Sequence, residues 1–401
     1  MHPFLFSEEC AVREVSVNRF RTYKYRDFSY AFSESDAAYP AQHLHTTLSA
    51  TMISRRRFLL ACLAAAFVDI PGSATPRRCR PIISGPLWWY DPTLSAKWGE
   101  QGWRDQLDEQ AGIGFNLLWL CNAPSALNSD SDVTALRSLM DLCAKRKVRV
   151  ILDTGSSGTW YNPFDVEKEL TVCGRNIRRI GELFSSHPAF YAWYVPHEIY
   201  MSWGEFAAKI DILYPKLVEL CKKAADLPVT VSPFFILDRD KVFGDFRYNE
   251  PHEYERYWAR LVKRSGFDVV MLQDSGEHFS YVTNEMRRPF FEAMASACSS
   301  AGARFWGNVE TAEYVCPSKE EFVRRYGRIH HAQAKGLPWR PVPIDRLKEK
   351  LALAAEYCED IVTWGYREYC QPSLGSEARK WYSDYRAYVR SLPTLPTNQP
   401  V

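Results

Sequence analysis

Two glutamates in this sequence directly follow short apolar runs. Phe190–Val195 leads through Pro196 and His197 to Glu198, and Arg304–Val309 leads to Glu310. A carboxyl at the end of a strand is held by regular backbone yet faces whatever lies beyond the strand. Two such carboxyls suit the cleavage of a glycosidic bond. One gives its proton to the leaving oxygen, and the other, ionised, attacks the anomeric carbon or stabilises its charge. A separation of about 5–5.5 Å between them implies retention of configuration and about 6.5–9.5 Å implies inversion. Asp274 is a third candidate at the end of the apolar run Phe267–Leu272, as a base, as a group orienting a glutamate, or as the partner of Glu310. Asp153 ends the run Val148–Asp153 and reads as a supporting hydrogen-bond acceptor or as the cap of the turn Thr154-Gly155-Ser156-Ser157.

Aromatic residues make up 14% of the chain, with 13 Trp, 22 Tyr and 22 Phe, and many fall at strand ends. Trp88, Trp89, Trp160, Tyr161, Trp203, Trp306, Trp364 and Tyr366 could offer flat apolar faces to sugar rings, each with a polar handle at its edge. Trp88, Trp306 and Trp364 are preferred because they fall within or at the ends of strands. The others compete with a packing role. Arg367 could hold a carboxylate or an acidic sugar, or take part in a salt bridge. His330 and His331 lie in a charged helical segment and are expected to face solvent. No HExxH, Walker loop or nucleophile elbow occurs.

These residues need elements to position them. From Ile82 onward one unit repeats: a short apolar run, a turn rich in Gly, Asn, Pro and Ser, then an amphipathic segment. The runs are Ile82–Trp89, Phe115–Cys121, Val148–Asp153, Phe190–Val195, Pro228–Phe234, Phe267–Leu272, Arg304–Val309 and Asp360–Gly365. Between them, apolar residues recur at helical spacing over Val133–Lys145, Phe206–Lys223, His252–Lys263, Phe290–Ser299 and Leu347–Cys358, with a last helix over Ser376–Arg390. Strands that are apolar throughout and separated by helices belong to a parallel sheet covered on its outer face. The fold class expected is therefore α/β, a single (β/α)8 TIM barrel, whose closure leaves no sheet edge. A doubly wound open sheet would favour a Gly-rich phosphate loop after the first strand, and GPLWWYD (85–91) is not one. In such a barrel the chemistry sits at the C-terminal ends of the strands, where the glutamates fall.

In this layout the chain resembles the large superfamily of retaining glycoside hydrolases with catalytic glutamates on strands four and seven. The resemblance covers about residues 80–390. It implies an acid/base role for Glu198 and a nucleophilic role for Glu310. The stretches WYVPHEIY (193–200) and FWGNVETAEY (305–314) also resemble an uncharacterised bacterial family of glycosidase-like barrels, a domain of unknown function. The superfamily commonly places Asn before the strand-four Glu, where its amide binds the sugar 2-hydroxyl. Here that position is His197, whose imidazole can also donate to a hydroxyl.

Composition bounds the rest. With 50 Lys+Arg against 48 Asp+Glu, the net charge of +2 leaves no basic footprint for nucleic acid or for a membrane surface. Residues 52–74 have the layout of an export signal. Arg55-Arg56-Arg57 precede an apolar run from Phe58 to Val68, and small residues follow at Gly72, Ser73 and Ala74. Ser54–Leu59 resembles the twin-arginine motif, which implies a periplasmic or secreted protein, and the apolar run is too short for stable membrane insertion. Residues 1–51 carry no periodicity and read as a disordered or mis-called upstream extension, 75–391 as the barrel, and 392–401 as a frayed tail. The cysteines, without any CxxC pair, read as small core residues, with one disulfide possible.

The first expectation is thus an exported hydrolase of an oligo- or polysaccharide, needing no cofactor. Two alternatives stand beside it. A carbohydrate-binding barrel without catalysis would fit His197 in place of Asn. A metal-dependent sugar isomerase or epimerase would use Glu198, Asp274, His278 and Glu310 as an oxygen-rich site with one imidazole. Oligomeric state is not legible.

Overall fold

Strands β1 (Gly85–Trp89), β2 (Leu117–Cys121), β3 (Arg149–Asp153), β4 (Phe190–Val195), β5 (Val229–Val231), β6 (Val269–Gln273), β7 (Arg304–Asn308) and β10 (Asp360–Thr363) are apolar on both faces because both are buried. In the computed structural model, which describes residues 79–158, 163–244, 246–276 and 278–393, they form a closed parallel barrel in the order β1-β10-β7-β6-β5-β4-β3-β2. This is the expected (β/α)8 barrel. Alternate residues of each strand serve two cores. Leu87, Leu117, Trp119, Ile151, Tyr194, Met271, Trp306 and Val362 point inward, whereas Trp88, Leu118, Leu120, Trp193, Val195, Leu272 and Ile361 pack outward against the helices.

The surrounding helices are α1 (Pro92–Ala111), α2 (Asp130–Lys145), α3 (Val166–Phe184), α4 (Gly204–Ala224), α5 (Pro251–Ser265), α6 (Asn284–Ala301), α7 (Lys319–Tyr326), α8 (Ile344–Tyr357) and α9 (Ser376–Ser391). The connection from β7 to β10 is long, and it carries a feature the apolar runs do not foretell: an antiparallel pair of β8 (Ala312–Tyr314) and β9 (Trp339–Pro341). Each strand is three residues long, too short for a readable pattern. With Val242, Phe243, Phe279, Val282, Phe322 and Leu337, Tyr314 forms a satellite apolar core of its own. His331 packs against Phe243, Phe279 and Tyr314 of that core, and His330 stacks on His331 beside Phe246; at 4% and 6% exposed, they correct the expectation of solvent-facing histidines. Their covering residues come from distant segments.

At its N-terminal end the barrel is plugged. Tyr191 stacks on Trp306 at 6.2 Å, and the Arg149 guanidinium lies 4.9 Å from Tyr191 and 5.9 Å from Trp306. Arg149 also pairs with Asp360 at 3.1 Å. The C-terminal end is left for the site. All nine cysteines among the described residues are free thiols, eight of them buried. No described helix is long and apolar enough to cross a membrane. The expected extension 1–51, signal 52–74 and the tail beyond 393 lie outside the described residues, as do Trp160, Tyr161 and Glu277.

Candidate active site

Glu198 and Glu310 stand on the same C-terminal face of the barrel, past strands separated by β5 and β6. The alternation along each strand explains how. On β7, Trp306 and Asn308 face inward and Glu310 continues that face. On β4, Tyr194 faces inward, and the chain turns at Pro196 with a Glu198 N–H donated to the Pro196 carbonyl at 3.0 Å. The turn brings Glu198 over Tyr194, whose Oη donates to Glu198 Oε1 at 2.7 Å. Burial, followed by the charge of Glu198, pushes the Tyr194 phenol well above its usual range, so it remains a proton donor.

Glu310 is 1% exposed, and its Oε2 contacts His278 Nδ1. Its backbone is gripped from both sides. The Glu310 N–H points to Asp274 Oδ1 at 3.4 Å, and Lys350 Nζ donates to the Glu310 carbonyl at 2.6 Å. Lys350 also pairs with Asp274 Oδ2 at 2.8 Å, with Arg287 Nε 3.5 Å from the same oxygen. Burial works to raise the Asp274 carboxyl, but Lys350 and Arg287 outweigh it and hold the group below its usual range. Asp274, 3% exposed, is thus paired with cations behind Glu310, a placement that suits a group orienting that glutamate. The two cations also make a poor surrounding for a metal ion at Glu198, Asp274, His278 and Glu310.

Sequence reading passed over Lys350 and Arg287, although a signal existed. Each is a cation in the apolar stripe of its helix: Lys350 among Leu347, Leu351 and Ala354 of α8, and Arg287 ahead of Phe290, Phe291 and Met294 of α6. A charge placed in such a stripe needs a buried counter-charge.

His197 does not line the mouth. It continues the outward face of Trp193 and Val195, has no solvent exposure, and its Nε2 meets Glu169 Oε2 of α3 at 3.0 Å. Tyr214 Oη donates to the His197 carbonyl. The expected contact with a sugar hydroxyl is corrected to a contact within the wall. Glu169, also unforeseen, accepts the Ser157 N–H at 2.9 Å and the Ser157 hydroxyl. Burial would raise its carboxyl, but His197 and Ser157 prevail and hold it low. Among the described residues, Glu169, Cys173 and His197 bring three ligand atoms within 4.8 Å of one another. The Cys173 thiol, raised well above its usual range by burial, donates to the Gly155 carbonyl at 3.1 Å.

Asp153 is 3% exposed and accepts the Ala123 N–H at 2.8 Å, bracing the loop after β2. Burial pushes its carboxyl up to about 7 against the pull of backbone N–H groups at Asn122, Ala123 and Gly155.

The aromatic candidates separate by strand face. Trp88 points outward and packs against Trp98 and Trp103 at 5.8 and 5.3 Å. Trp306 belongs to the plug at the far end of the barrel. Tyr366 is buried and donates to Glu109 Oε1 at 2.8 Å. These three are packing residues, correcting their assignment to substrate. Trp89 and Trp364 remain half-buried on the inward face. Trp364 lies 5.6 Å from the His278 ring and Trp339 5.7 Å from it, with the two indoles 5.5 Å apart. Tyr369 stacks on Trp339 at 5.3 Å. An aromatic wall thus stands beside Glu310, and Trp339 enters it from β9, inside the loop-like stretch KGLPWRP (335–341).

A search of curated proteins finds no match. Among solved structures, the barrel is similar to a candidate α-L-fucosidase from Bacteroides thetaiotaomicron, with 17% identity, a TM-score of 0.59, and coverage of 88% of this chain and 99% of that one. It is also similar to an endo-β-1,4-mannanase from Thermotoga petrophila, with 9% identity, a TM-score of 0.48 and 77% coverage of each chain. At these identities the likeness is one of fold. A family model described as "Domain of unknown function (DUF4434)" matches residues 83–375, from the start of the barrel to the turn before α9, and the chain belongs to that family.

Proposed function

We propose that this chain is a glycoside hydrolase acting on an oligo- or polysaccharide with retention of configuration, Glu198 as acid/base and Glu310 as nucleophile. The observation that carries this reading is the pair of carboxyls that follow β4 and β7 on one barrel face, one in contact with Tyr194 and the other with His278, and an aromatic wall beside the second. Glu310 attacks the anomeric carbon as the bond to the leaving oxygen breaks, and Glu198 passes its proton to that oxygen. The Tyr194 hydroxyl then stabilises the carboxylate left on Glu198. In the second step water loses a proton to Glu198 and its oxygen bonds to the anomeric carbon, releasing Glu310 as a carboxylate beside His278. Lys350 and Asp274 fix the Glu310 backbone throughout. The likeness to the candidate α-L-fucosidase supports a carbohydrate substrate at the level of fold. We extend the proposal to export, directed by the twin-arginine-type segment 52–74.

The test measures reducing ends released from a panel of polysaccharides and aryl glycosides, with and without chelator, for the protein and for Glu310→Gln. Expected is chelator-resistant release that falls by at least about 10³-fold in the variant, with the product anomer, read by NMR, matching the substrate. Release that requires metal, or that survives in the variant, would overturn the assignment.

A further inference from the structure

The rim between β10 and β1 carries a cation that the hydrolase reading leaves unused. Arg367 lies in the π-helical turn Tyr366–Cys370, three residues beyond Trp364. Its guanidinium stacks 4.9 Å from the Trp88 ring and 5.8 Å from Trp98. It makes no hydrogen bond or ion pair with any described residue, and its Nε is enclosed without an acceptor. The Nη nitrogens are not enclosed in the same way. Two carboxylates pull on it from beyond ion-pair distance. Glu368 is its chain neighbour, and Asp91 is committed to capping α1 through the Thr93 and Leu94 N–H groups. Burial is the larger influence and works against the charge. A largely desolvated guanidinium held flat on indole, with its outer edge open, is a cation waiting for an oxyanion.

The turn that carries it is tied to the segment that follows the catalytic strand. Thr311, the residue after Glu310, donates its N–H and its hydroxyl to the Trp364 carbonyl, both at 3.0 Å. Gly365 adopts φ +96°, and a Cβ there would lie 2.9 Å from Ala312 Cβ, so the turn is packed against that same segment. Single π-turns of this kind recur at functional sites, and a fixed cation is spared the ordering cost on binding. Pro86 of β1 pairs with Thr363 of β10, so Trp89 and Trp364 form the inner wall at this corner, and Arg367 lies next to it, over the outward-facing Trp88.

We propose that this corner is an anion subsite, in which Arg367 binds an acidic substituent, a carboxylate or a sulfate, on the saccharide that the glutamate pair cleaves. The proposal rests on the hydrolase reading for its location beside a cleavage site, but not for its test. Binding is measured by calorimetry with the full chain, for glucuronate, galacturonate and galactose 6-sulfate against glucose and galactose. The acidic sugars are expected to bind about tenfold tighter or more, since a charge-assisted hydrogen bond contributes roughly 1.5–3 kcal/mol, and the preference is expected to weaken with salt. Arg367→Gln removes the preference and leaves neutral-sugar affinity unchanged. Arg367→Lys, which keeps the charge but loses the planar fork, retains part of it and serves if the Gln variant melts early. Uronates and the sulfate ester separately show which substituent is read. Equal affinity for acidic and neutral sugars, or a preference that survives Arg367→Gln, overturns the subsite. An Arg367-dependent preference without any turnover keeps the subsite and sinks the hydrolase; turnover of neutral glycosides without the preference does the reverse.

Discussion

Asp153 and Asp274 occupy matching stations, the last residue of β3 and the first residue after β6, and each is 3% exposed. Their carboxyls nevertheless move in opposite directions. Asp153 meets only backbone N–H donors, and burial pushes it up to about 7. Asp274 is buried as deeply, but Lys350 and Arg287 hold it down. Position in the barrel does not decide the charge of a strand-end carboxyl; the helices behind it do. On the β6–β7 side those helices supply cations, and the nucleophile candidate Glu310 is built into the charged network they create. On the β3–β4 side the wall behind Glu198 is the enclosed Glu169–His197 pair.

The largest effect should come from removing the cation that makes Asp274 differ. Lys350→Met leaves Asp274 with a weaker partner and the Glu310 carbonyl without its donor. A loss of about 3–5 kcal/mol in urea unfolding is expected, together with loss of turnover. An unchanged unfolding midpoint would show that Lys350 is not what stabilises the buried aspartate. The next test removes the charge of Asp153. Its native pKa lies above the unfolded value of about 3.9, so its stabilising contribution is complete below about pH 4 and is lost as pH rises to about 7. Asp153→Asn should remove that slope. The variant should match the protein near pH 4 and exceed it by at most about 4 kcal/mol above pH 7. Asp274 has the opposite sign, contributing above its unfolded pKa and losing that contribution as pH falls through the native value. Parallel slopes for Asp153→Asn and the parent would contradict the burial argument.

Two smaller changes probe the Glu198 side. Glu169→Gln weakens the enclosed contact to His197 and should cost about 1–3 kcal/mol in stability, with a fall in kcat larger than any rise in KM, because the loop before Glu198 shifts. Equal kcat would confine Glu169 to a packing role. Tyr194→Phe removes one hydrogen bond to Glu198, worth about 1 kcal/mol. A several-fold fall in kcat is expected with little change in melting, and undiminished kcat would rule out the Tyr194 hydroxyl as a stabiliser of the Glu198 carboxylate.

The barrel was legible because its strands are apolar on both faces and alternate with amphipathic helices, a pattern local to each segment. The positions of Glu198 and Glu310 were legible for the same reason: each ends a run. Their surroundings were not. Lys350, Arg287 and Glu169 lie on helices far away in sequence, and His278 lies on the loop after β6. Face parity was available and would have sorted several residues. Trp88 sits between inward-facing Leu87 and Trp89, and His197 is two residues beyond outward-facing Val195. Trp339 was hidden for a different reason. It joins the wall beside Glu310 only because β9 pairs with β8, a contact with no local signature.

That pairing gives the wall a character distinct from the barrel. The satellite core beneath it, with Phe243, Phe279, Tyr314 and Phe322, is separate from the barrel cores and much smaller. Amides over residues 312–341 are therefore set to exchange with deuterium through local opening, at a lower free energy than those of β4 or β6, which await global unfolding. A protein built this way can breathe on one side of its cleft while both carboxyl-bearing strands stay locked.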